Sequence, residues 1–333
     1  MAASIKDVAQ RARVSTATVS HILNGTRAAS PATRERVLAA VEELGYAQNQ
    51  TARNLARGRS SLLGLLVSDV RNPFFPDVFG AFQDAALGHN MDALLLNTNY
   101  DAQRTLNSVR RLIGLQVPGV AILTSQIEPS IVDMLAGHKV AAVYLDLGRV
   151  DHYISNLVLD YEHGIAEALE HLSRLGHEHI AYIGGPAHLP SAQLRKQAFM
   201  DTASRLQLDP VTALDSDFTV RGAYSAATEV LRSPATAVMC GNDLTAIGVL
   251  HCAYDAGIRV PDDVSLVGFD DITFAEYTQP ALTTVVVPRA TIGKIAFDAL
   301  WSMISDPNHS GGEFRVGTRL AVRQSTCPPR SQS

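Results

Sequence analysis

Apolar residues recur at helical spacing in the first 45 positions. Residues 5–12 carry them at i, i+3, i+4 and i+7, and Ser4 with Asp7 forms a capping box at the start of this predicted helix. A second helix is predicted from about residue 16 to residue 23, because Ser15 is a favourable N-cap. Two helices joined by so short a turn predict a helix-turn-helix.

A third helix is predicted after Ser30 and Pro31, which are an N-cap followed by proline at the first helical position. It is expected to end at Gly45. Four of its side chains are predicted to be buried: Val37, Leu38, Val41 and Leu44.

From Ser61 onward the pattern changes to short, continuous apolar runs that alternate with helical stretches. Such runs are typical of a parallel sheet covered on both faces. The theme occurs twice, so the predicted fold class is α/β, with an all-α head followed by two doubly wound lobes. The predicted strands are residues 62–67, 91–96, 120–123 and 140–145 in the first lobe, and 180–183, 235–239 and 264–267 in the second.

Charge is distributed unevenly along the chain. The net charge is −5 over 333 residues, yet residues 1–60 carry +5 and the remainder carries −10. A basic head attracts phosphate groups, while an acidic body repels them. The chain has neither an apolar run long enough to span a membrane nor an export signal at its start, so we expect a cytoplasmic protein without a membrane partner.

Residues suited to catalysis are not evident in the sequence. The three cysteines fit no metal spacing, and the histidines of His177-Glu178-His179 are two positions apart instead of four. Gly184-Gly185-Pro186 lacks the lysine of a phosphate-binding loop and indicates a strand-to-helix turn. We therefore expect a binding protein with no metal and no cofactor. A solute receptor is the alternative class, although the basic head and the missing export signal argue against it.

The second predicted helix presents its first turns to the major groove of DNA if the head is a helix-turn-helix. Thr16 offers a hydroxyl and a methyl group, Ala17 offers only a methyl group, and His21 offers a donor, with Ser20 on the same side. These four side chains are predicted to contact base edges.

The carboxyl ends of parallel strands are where open α/β sheets bind ligands. Aromatic rings with a few carboxylate, amide and guanidinium groups suit a small polyhydroxylated molecule. An Asx residue after a strand also serves as a helix cap, and that second explanation stays open for each such residue. The rule selects Asn72-Pro73-Phe74-Phe75, Asp146, Arg195, Asp217-Phe218, Asn242-Asp243 and Asp270-Asp271.

Four sequence motifs resemble the lactose-repressor (LacI/GalR) family of bacterial regulators, and within it the purine-repressor and ribose-repressor types. They are Ile5–Ala9, Val14–Asn24, Gly45–Tyr46 and Asn49–Leu55. The resemblance extends from Ile5 to about Pro328. It implies a repressor that binds a near-palindromic double-stranded DNA operator as a homodimer, under the allosteric control of a small molecule.

The resemblance also implies the domain organisation. It assigns residues 1–46 to the helix-turn-helix domain, 47–60 to a hinge helix or linker, and 61–333 to an effector-binding and dimerisation domain of the periplasmic-binding-protein type I fold. Within this domain the N-lobe is about 61–159 and 288–317, and the C-lobe is about 160–287 and 318–333.

The family resemblance implies seven effector contacts among the residues selected above, and it adds further DNA contacts. Leu55 is expected to be a wedge that enters the minor groove. The predicted DNA-binding residues are Ser15, Thr16, Ala17, Ser20, His21, Asn24, Arg53, Leu55 and Ala56, and the predicted effector-binding residues are Phe74, Phe75, Asp146, Arg195, Phe218, Asn242 and Asp270.

Three positions depart from the family pattern. Leu147 stands where ribose binders carry arginine, and Val287 stands at a hinge position where family members usually carry glutamine. The effector therefore has fewer hydroxyls than ribose, or the cavity is less polar than in those relatives. A sugar or sugar derivative is the main expectation, and a nucleobase is the alternative. Arg13 occupies a turn that favours Gly or Asn, where we expect modest strain. The choice between inducer and co-repressor, and between dimer and tetramer, stays open.

Overall fold

The chain forms two compact units that divide between Arg59 and Ser60. The computed structural model describes residues 3–24, 27–46, 60–124, 127–306 and 308–330. The first unit, which we call the head, contains α1 (Ile5–Ala12), α2 (Thr16–Asn24) and α3 (Pro31–Glu43). The three predicted helices are therefore present.

The helix caps predicted for the head are formed. The backbone N–H of Ser4 donates to the Asp7 carboxylate (2.8 Å), and the backbone N–H of Asp7 donates back to Ser4 Oγ (3.4 Å). Ser15 Oγ accepts from the backbone of Thr18 at the start of α2. Arg13 ends α1 in the left-handed region (φ 53°, ψ 49°), the conformation that favours Gly or Asn in this turn.

One valine from each helix makes the centre of the head core: Val8, Val19 and Val37 are fully buried. The prediction that Leu38 is buried is wrong, because its side chain is 45% exposed. Position 38 lies about 100° around the helix from position 37, and Ala40 takes the inward position instead.

The second unit, which we call the body, contains a first lobe and a second lobe, each built on one sheet. The strands of the first lobe are β1 (Leu62–Val67), β2 (Asp92–Asn97), β3 (Gly119–Leu123), β4 (Ala141–Leu145), β5 (Ile154–Leu159) and β11 (Glu313–Val316). Those of the second lobe are β6 (His179–Ile183), β7 (Asp209–Leu214), β8 (Ala237–Cys240), β9 (Ser265–Asp270), β10 (Thr283–Val286) and β12 (Arg319–Ala321).

Helices cover both faces of each sheet. They are α4 (Phe74–Leu87), α5 (Ala102–Gly114), α6 (Pro129–Gly137), α7 (Tyr161–Leu175), α8 (Pro190–Arg205), α9 (Val220–Val230), α10 (Asp243–Asp255) and α11 (Arg289–Ser305), with a 3₁₀ helix at Thr273–Glu276. In the first lobe α5 and α6 pack on one face of the sheet, and α4 and α11 pack on the other. In the second lobe α9 and α10 lie opposite α7 and α8.

The sheet orders are β11-β5-β4-β3-β1-β2 and β12-β10-β9-β8-β6-β7. Neighbouring strands are parallel except β12, which runs antiparallel to β10. The predicted doubly wound fold class is confirmed. Within the described residues the sequence pattern missed β5, β7, β10, β11 and β12, of which β7 and β11 are half-exposed edge strands with polar residues.

The chain passes between the two sheets three times, after Leu159, after Val286, and between Val316 and Arg319. The first and third crossings are joined by Thr318, whose hydroxyl donates to the carbonyl of Asp160 (2.6 Å) and accepts from the N–H of Gly164 (2.9 Å). These crossings place one end of each sheet beside the cleft between the lobes.

The last residues of the described chain complete the second lobe. The N–H of Leu266 donates to the carbonyl of Ser325 (2.7 Å), and Ser325 Oγ accepts from the N–H of Thr283 (2.8 Å). Nε2 of the buried His177 donates to the carbonyl of Cys327 (2.9 Å). The segment therefore ties β9, β10 and the start of β6 together.

Candidate functional site

The carboxyl ends of the strands in both sheets meet at a small cavity between the lobes. Its volume is about 50 Å³. Six of the seven predicted effector residues line it. The lining consists of Ser68, Asn72, Phe74, Phe75, Tyr100, Leu123, Leu145, Leu159, Tyr161, Ser191, Arg195, Phe218, Asn242 and Asp270.

Phe74 and Phe75 form the aromatic wall on the side of the first lobe. They begin α4, their ring centres lie 5.2 Å apart, and their planes are nearly perpendicular (88°). Asn72 fixes the start of this helix, because its Oδ1 accepts the N–H of Phe74 (3.0 Å). The two rings therefore form an edge-to-face pair beside the cavity.

Arg195 enters the cavity from α8 of the second lobe. Its guanidinium carbon lies 4.2 Å from the ring centre of Phe269, 5.3 Å from that of Tyr161 and 5.6 Å from that of Phe218. One amino group donates to the carbonyl of Gly241, and Nε is buried with no hydrogen-bond partner. Aromatic rings thus hold the fork while donors stay available to a ligand.

Asp270 ends β9 opposite this fork. Its Oδ1 lies 3.5 Å from Nη2 of Arg195, and its backbone has φ 110°, a rare value for a residue other than glycine. Burial raises the pKa of Asp270 to about 6, although Arg195 and Asn72 act in the opposite direction. A carboxyl group whose pKa lies well above the ordinary aspartate value is therefore part of the site.

Asn242 has two roles at once. Its Oδ1 accepts the N–H of Thr245 as the N-cap of α10 (2.8 Å), and its Nδ2 donates to the carbonyl of Phe218 (3.3 Å). The helix-cap explanation left open by the sequence is therefore correct, and the side chain lines the cavity as well.

Phe218 lies against the backbone of two glycines, Gly185 and Gly241. A Cβ on Gly185 would come within 2.0 Å of the Phe218 ring, and a Cβ on Gly241 would lie 3.2 Å from it. The Gly184-Gly185-Pro186 stretch does form the turn between β6 and α8. Its glycines give the ring room to lie over the turn.

Asp146 is the predicted effector residue that does not line this cavity. Its carboxylate accepts the hydroxyl of Tyr161 (2.8 Å) and the N–H of Leu159 (3.1 Å). Burial raises its pKa, while these two hydrogen bonds and Arg195 act to lower it. Asp146 lines a neighbouring, wider opening of about 810 Å³ on the other side of Tyr161.

Tyr100 and Tyr161 line the cavity although sequence reasoning did not select them. Tyr100 follows β2 and packs toward Leu189 and Phe218 of the second lobe. Tyr161 follows β5 by two residues, and its ring stacks on Phe269 (6.1 Å between ring centres). Both come just after a strand, so the strand-end rule would have found them if β5 had been recognised and β2 followed further.

Asp243 is a fully buried carboxyl group beside the site. It accepts the N–H of Ile272 (2.8 Å) and the hydroxyl of Thr284, which joins the end of β9 to β10. Burial and the nearby Asp270 raise its pKa well above the ordinary range. Asp243 supports the corner that carries Asp270.

In the head, the residues predicted to contact bases lie on the outer side of α2. Ser15, Thr16, Ala17 and His21 are exposed and Ser20 is half-buried, whereas Val19 and Ile22 face the core. Asn24 is the last residue of α2. The other three predicted DNA contacts, Arg53, Leu55 and Ala56, lie outside the described residues.

The described ranges contain no group of three or more His, Cys, Asp or Glu side chains placed to hold a metal ion. His177, part of the motif considered above, is instead hydrogen-bonded to Thr236 and Cys327. Within the same ranges, no helix is both long enough and apolar enough to cross a membrane.

A three-helix head followed by a two-lobed α/β body with a cleft defines a ligand-responsive regulator of transcription. The family profile "Bacterial regulatory proteins, lacI family" matches residues 4–49, and "Periplasmic binding protein-like domain" matches residues 169–326. The chain belongs to the LacI family of bacterial transcription regulators, as predicted. This is a family of regulators and not of enzymes.

Three relatives show the extent of the likeness. The transcriptional repressor PurR of Photobacterium profundum is 32% identical over 328 residues, covering 97% of this chain and 98% of that protein. The lac repressor dimer bound to operator and the anti-inducer ONPF has a TM-score of 0.85 and 26% identity, covering 98% of this chain and 100% of that one. A LacI family regulator from Enterococcus faecium with bound ribose has a TM-score of 0.73 and 28% identity, covering 81% and 100%.

Proposed function

We propose that this protein is a repressor that binds a near-palindromic operator as a homodimer and is controlled by a small molecule in the interlobe cavity. The carrying observation is the convergence of Phe74, Phe75, Arg195, Phe218, Asn242 and Asp270 on one cavity. The exposed side of α2 and the +5 charge of residues 1–60 support the DNA-binding half. A regulator of bacterial genes works in the cytoplasm.

The effector we propose is a sugar or a sugar derivative. Aromatic rings stack on the C–H face of such a molecule, while the Arg195 fork, Asn242 and Asp270 take its hydroxyls. Structural relatives with bound ribose and cellobiose favour this class. A nucleobase is the second candidate, favoured by the relatives named PurR and by the number of rings around the cavity.

The closed cavity is too small for either ligand, since small-molecule sites have volumes of roughly 300–1,000 Å³. Binding therefore needs the lobes to separate and close again around the effector. We propose that this motion, transmitted through residues 47–60, changes how the two heads of a dimer are held. A coupling of about 1–3 kcal/mol alters operator occupancy by roughly 5- to 150-fold.

Exposed aromatic residues on the second lobe support dimerisation. Tyr254 is 82% exposed, and Phe274 and Tyr277 are also largely exposed. α10 and the 3₁₀ helix, which carry or adjoin them, pack on the same face of the second sheet. Large exposed aromatic side chains are typical of protein interfaces.

Electrophoretic mobility shift against genomic fragments tests the proposal, followed by thermal-shift screening with sugars and nucleobases in the presence and absence of the retained fragment. We expect one class of fragment to be retarded selectively and one ligand class to raise the melting temperature and change the retardation. A solute receptor would bind a ligand and retard no fragment.

A further inference from the structure

We propose that Tyr161 is a specificity-determining residue that divides the interlobe cleft and restricts the effector to a single ring. The proposal rests on the proposed function, because it concerns the same cleft. It assigns to Tyr161 a role in choosing the ligand, separate from the six residues that surround the ligand.

The cleft consists of two compartments on either side of this side chain. The inner compartment is the cavity of about 50 Å³ between Phe74, Arg195 and Asp270. The outer compartment is the opening of about 810 Å³ between Asp146, Leu194 and Gly317. Tyr161 and Leu159 are the residues that line both.

Contacts on three sides fix the ring of Tyr161 in this position. The ring stacks on Phe269 at 6.1 Å, and the Arg195 guanidinium lies 5.3 Å from its centre. Its hydroxyl donates to Asp146 across the cleft (2.8 Å). Tyr161 begins α7 of the second lobe, whereas Asp146 follows β4 of the first, so the hydrogen bond joins the two lobes.

Two consequences follow for a ligand in the inner compartment. The carboxylate of Asp146 accepts the phenol and the N–H of Leu159 and does not line the inner compartment, so a ligand there does not contact it. A second ring attached to the first would have to pass through the space that the Tyr161 ring fills. Once the lobes have separated and closed again, a single sugar ring can occupy the inner compartment without displacing Tyr161, whereas a disaccharide is excluded.

The test compares one-ring and two-ring probes on the full chain. The probes are ribose, glucose and galactose on one side and cellobiose, lactose and maltose on the other, scored by thermal shift and titration calorimetry. The wild type is expected to bind none of the disaccharides. Tyr161→Ala, which joins the compartments, is expected to bind at least one of them at least about tenfold more tightly than the wild type does.

Control variants distinguish the loss of the Tyr161 ring as a barrier from a general loosening of the cleft. Tyr161→Phe keeps the ring and frees Asp146, so it should still exclude disaccharides. Leu194→Ala widens only the outer compartment and should also exclude them. Adding Arg195→Ala to Tyr161→Ala should abolish the gained binding, because the gained ligand still uses the inner compartment. If Tyr161→Ala does not fold, Tyr161→Leu replaces it, and circular dichroism verifies the fold of each variant.

Disaccharide binding by the wild type would overturn the proposal that Tyr161 divides the cleft. A folded Tyr161→Ala or Tyr161→Leu protein that gains no disaccharide binding would overturn it as well. Failure of the proposed function looks different, because then the wild type retards no DNA fragment. Mobility shift of the same preparations distinguishes the two results.

Discussion

The guanidinium carbon of Arg195 lies 4.2 Å above the centre of the Phe269 ring, while one amino group faces Asp270 at 3.5 Å. A planar guanidinium held over an aromatic ring has its position set before any ligand binds. Lysine keeps the positive charge, but its ammonium group is not planar and does not present two parallel N–H donors as a guanidinium does.

Arg195→Lys is therefore expected to weaken effector binding at least about tenfold, because the lost bidentate geometry exceeds about 1.4 kcal/mol. Titration calorimetry with the effector identified by screening measures this. Arg205→Lys is the matched control, since Arg205 is on the same helix in an exposed ion pair with Glu170. If Arg195→Lys and the control bound the effector with equal affinity, Arg195 would not contribute to effector binding.

Asp270 is expected to make stability depend on pH. Its pKa is about 6 in the fold and 3.8 in the reference state, so the folded chain keeps this proton while the unfolded chain loses it. Stability contributed by the protonated form is thus present at low pH and declines as pH rises from about 4 to about 6. Above that window the decline has reached about 3 kcal/mol.

Asp270→Asn mimics the protonated form and should remove that decline. Denaturant unfolding of both proteins between pH 4 and pH 8 gives the comparison, and the difference between them should grow with pH. The charged groups that act on or respond to Asp270 are Arg195, Arg289 and Asp243. The Asp243→Asn variant is measured in the same way, so that its contribution to the pH dependence is separated from that of Asp270. Parallel curves for wild type and Asp270→Asn would contradict this prediction.

Gly185→Ala is expected to displace the Phe218 ring, because the new Cβ would lie about 2 Å from it. Overpacking of this kind costs about 1–3 kcal/mol of stability. Effector affinity should fall in the same variant, as measured by calorimetry. Gly80→Ala is the control: Gly80 lies in α4 with open space around it, so alanine there should stabilise by about 0.5–1 kcal/mol. If Gly185→Ala left both the stability and the effector affinity unchanged, Phe218 would have room to move.

His21→Ala is expected to reduce operator affinity by about 1–3 kcal/mol with little change in binding to unrelated DNA. His21 is exposed on the outer side of α2, where a helix-turn-helix contacts base edges. Mobility shift with specific and scrambled duplexes measures both quantities. Gln10→Ala, an exposed substitution on α1, is the control. Equal losses on both duplexes would assign His21 to phosphate contact instead.

Leu55→Ala tests the wedge implied by the family resemblance. We expect operator affinity to fall about tenfold or more, because a minor-groove wedge repays the cost of opening a base step with new contacts. Leu38→Ala, an exposed leucine in α3, is the matched control and should leave affinity unchanged. Retained affinity in Leu55→Ala would make residues 47–60 a simple linker.

The sequence predicted the three helices of the head and seven of the strands because their periodicity is local, but it missed the buried strands β5 and β10. The runs around Leu65, Ile122 and Val143 are apolar on both faces, and such runs occur in covered parallel strands. β7 and β11 escaped prediction because edge strands carry polar residues that resemble loops.

The site was predicted less completely than the fold. Strand ends and family motifs selected Phe74, Arg195 and Asp270, and the structure brings these together. They did not predict that Asp146 faces Tyr161, because β5, whose end positions Tyr161 beside the end of β4, was itself not predicted. The prediction that Leu38 is buried was wrong because helical periodicity identifies the buried face of a helix only approximately. Which residues at the border of that face are buried depends on packing.

The last strands of both sheets come from the end of the chain. β11 and β12 begin at Glu313 and Arg319, and the segment around Ser325 closes the second lobe. During synthesis the head is free of the ribosome long before either lobe has all its strands. A gene cut short in its final tenth would therefore encode a protein with an intact DNA-contacting head and an unfinished body, and it would lose response to its metabolite before it lost the head.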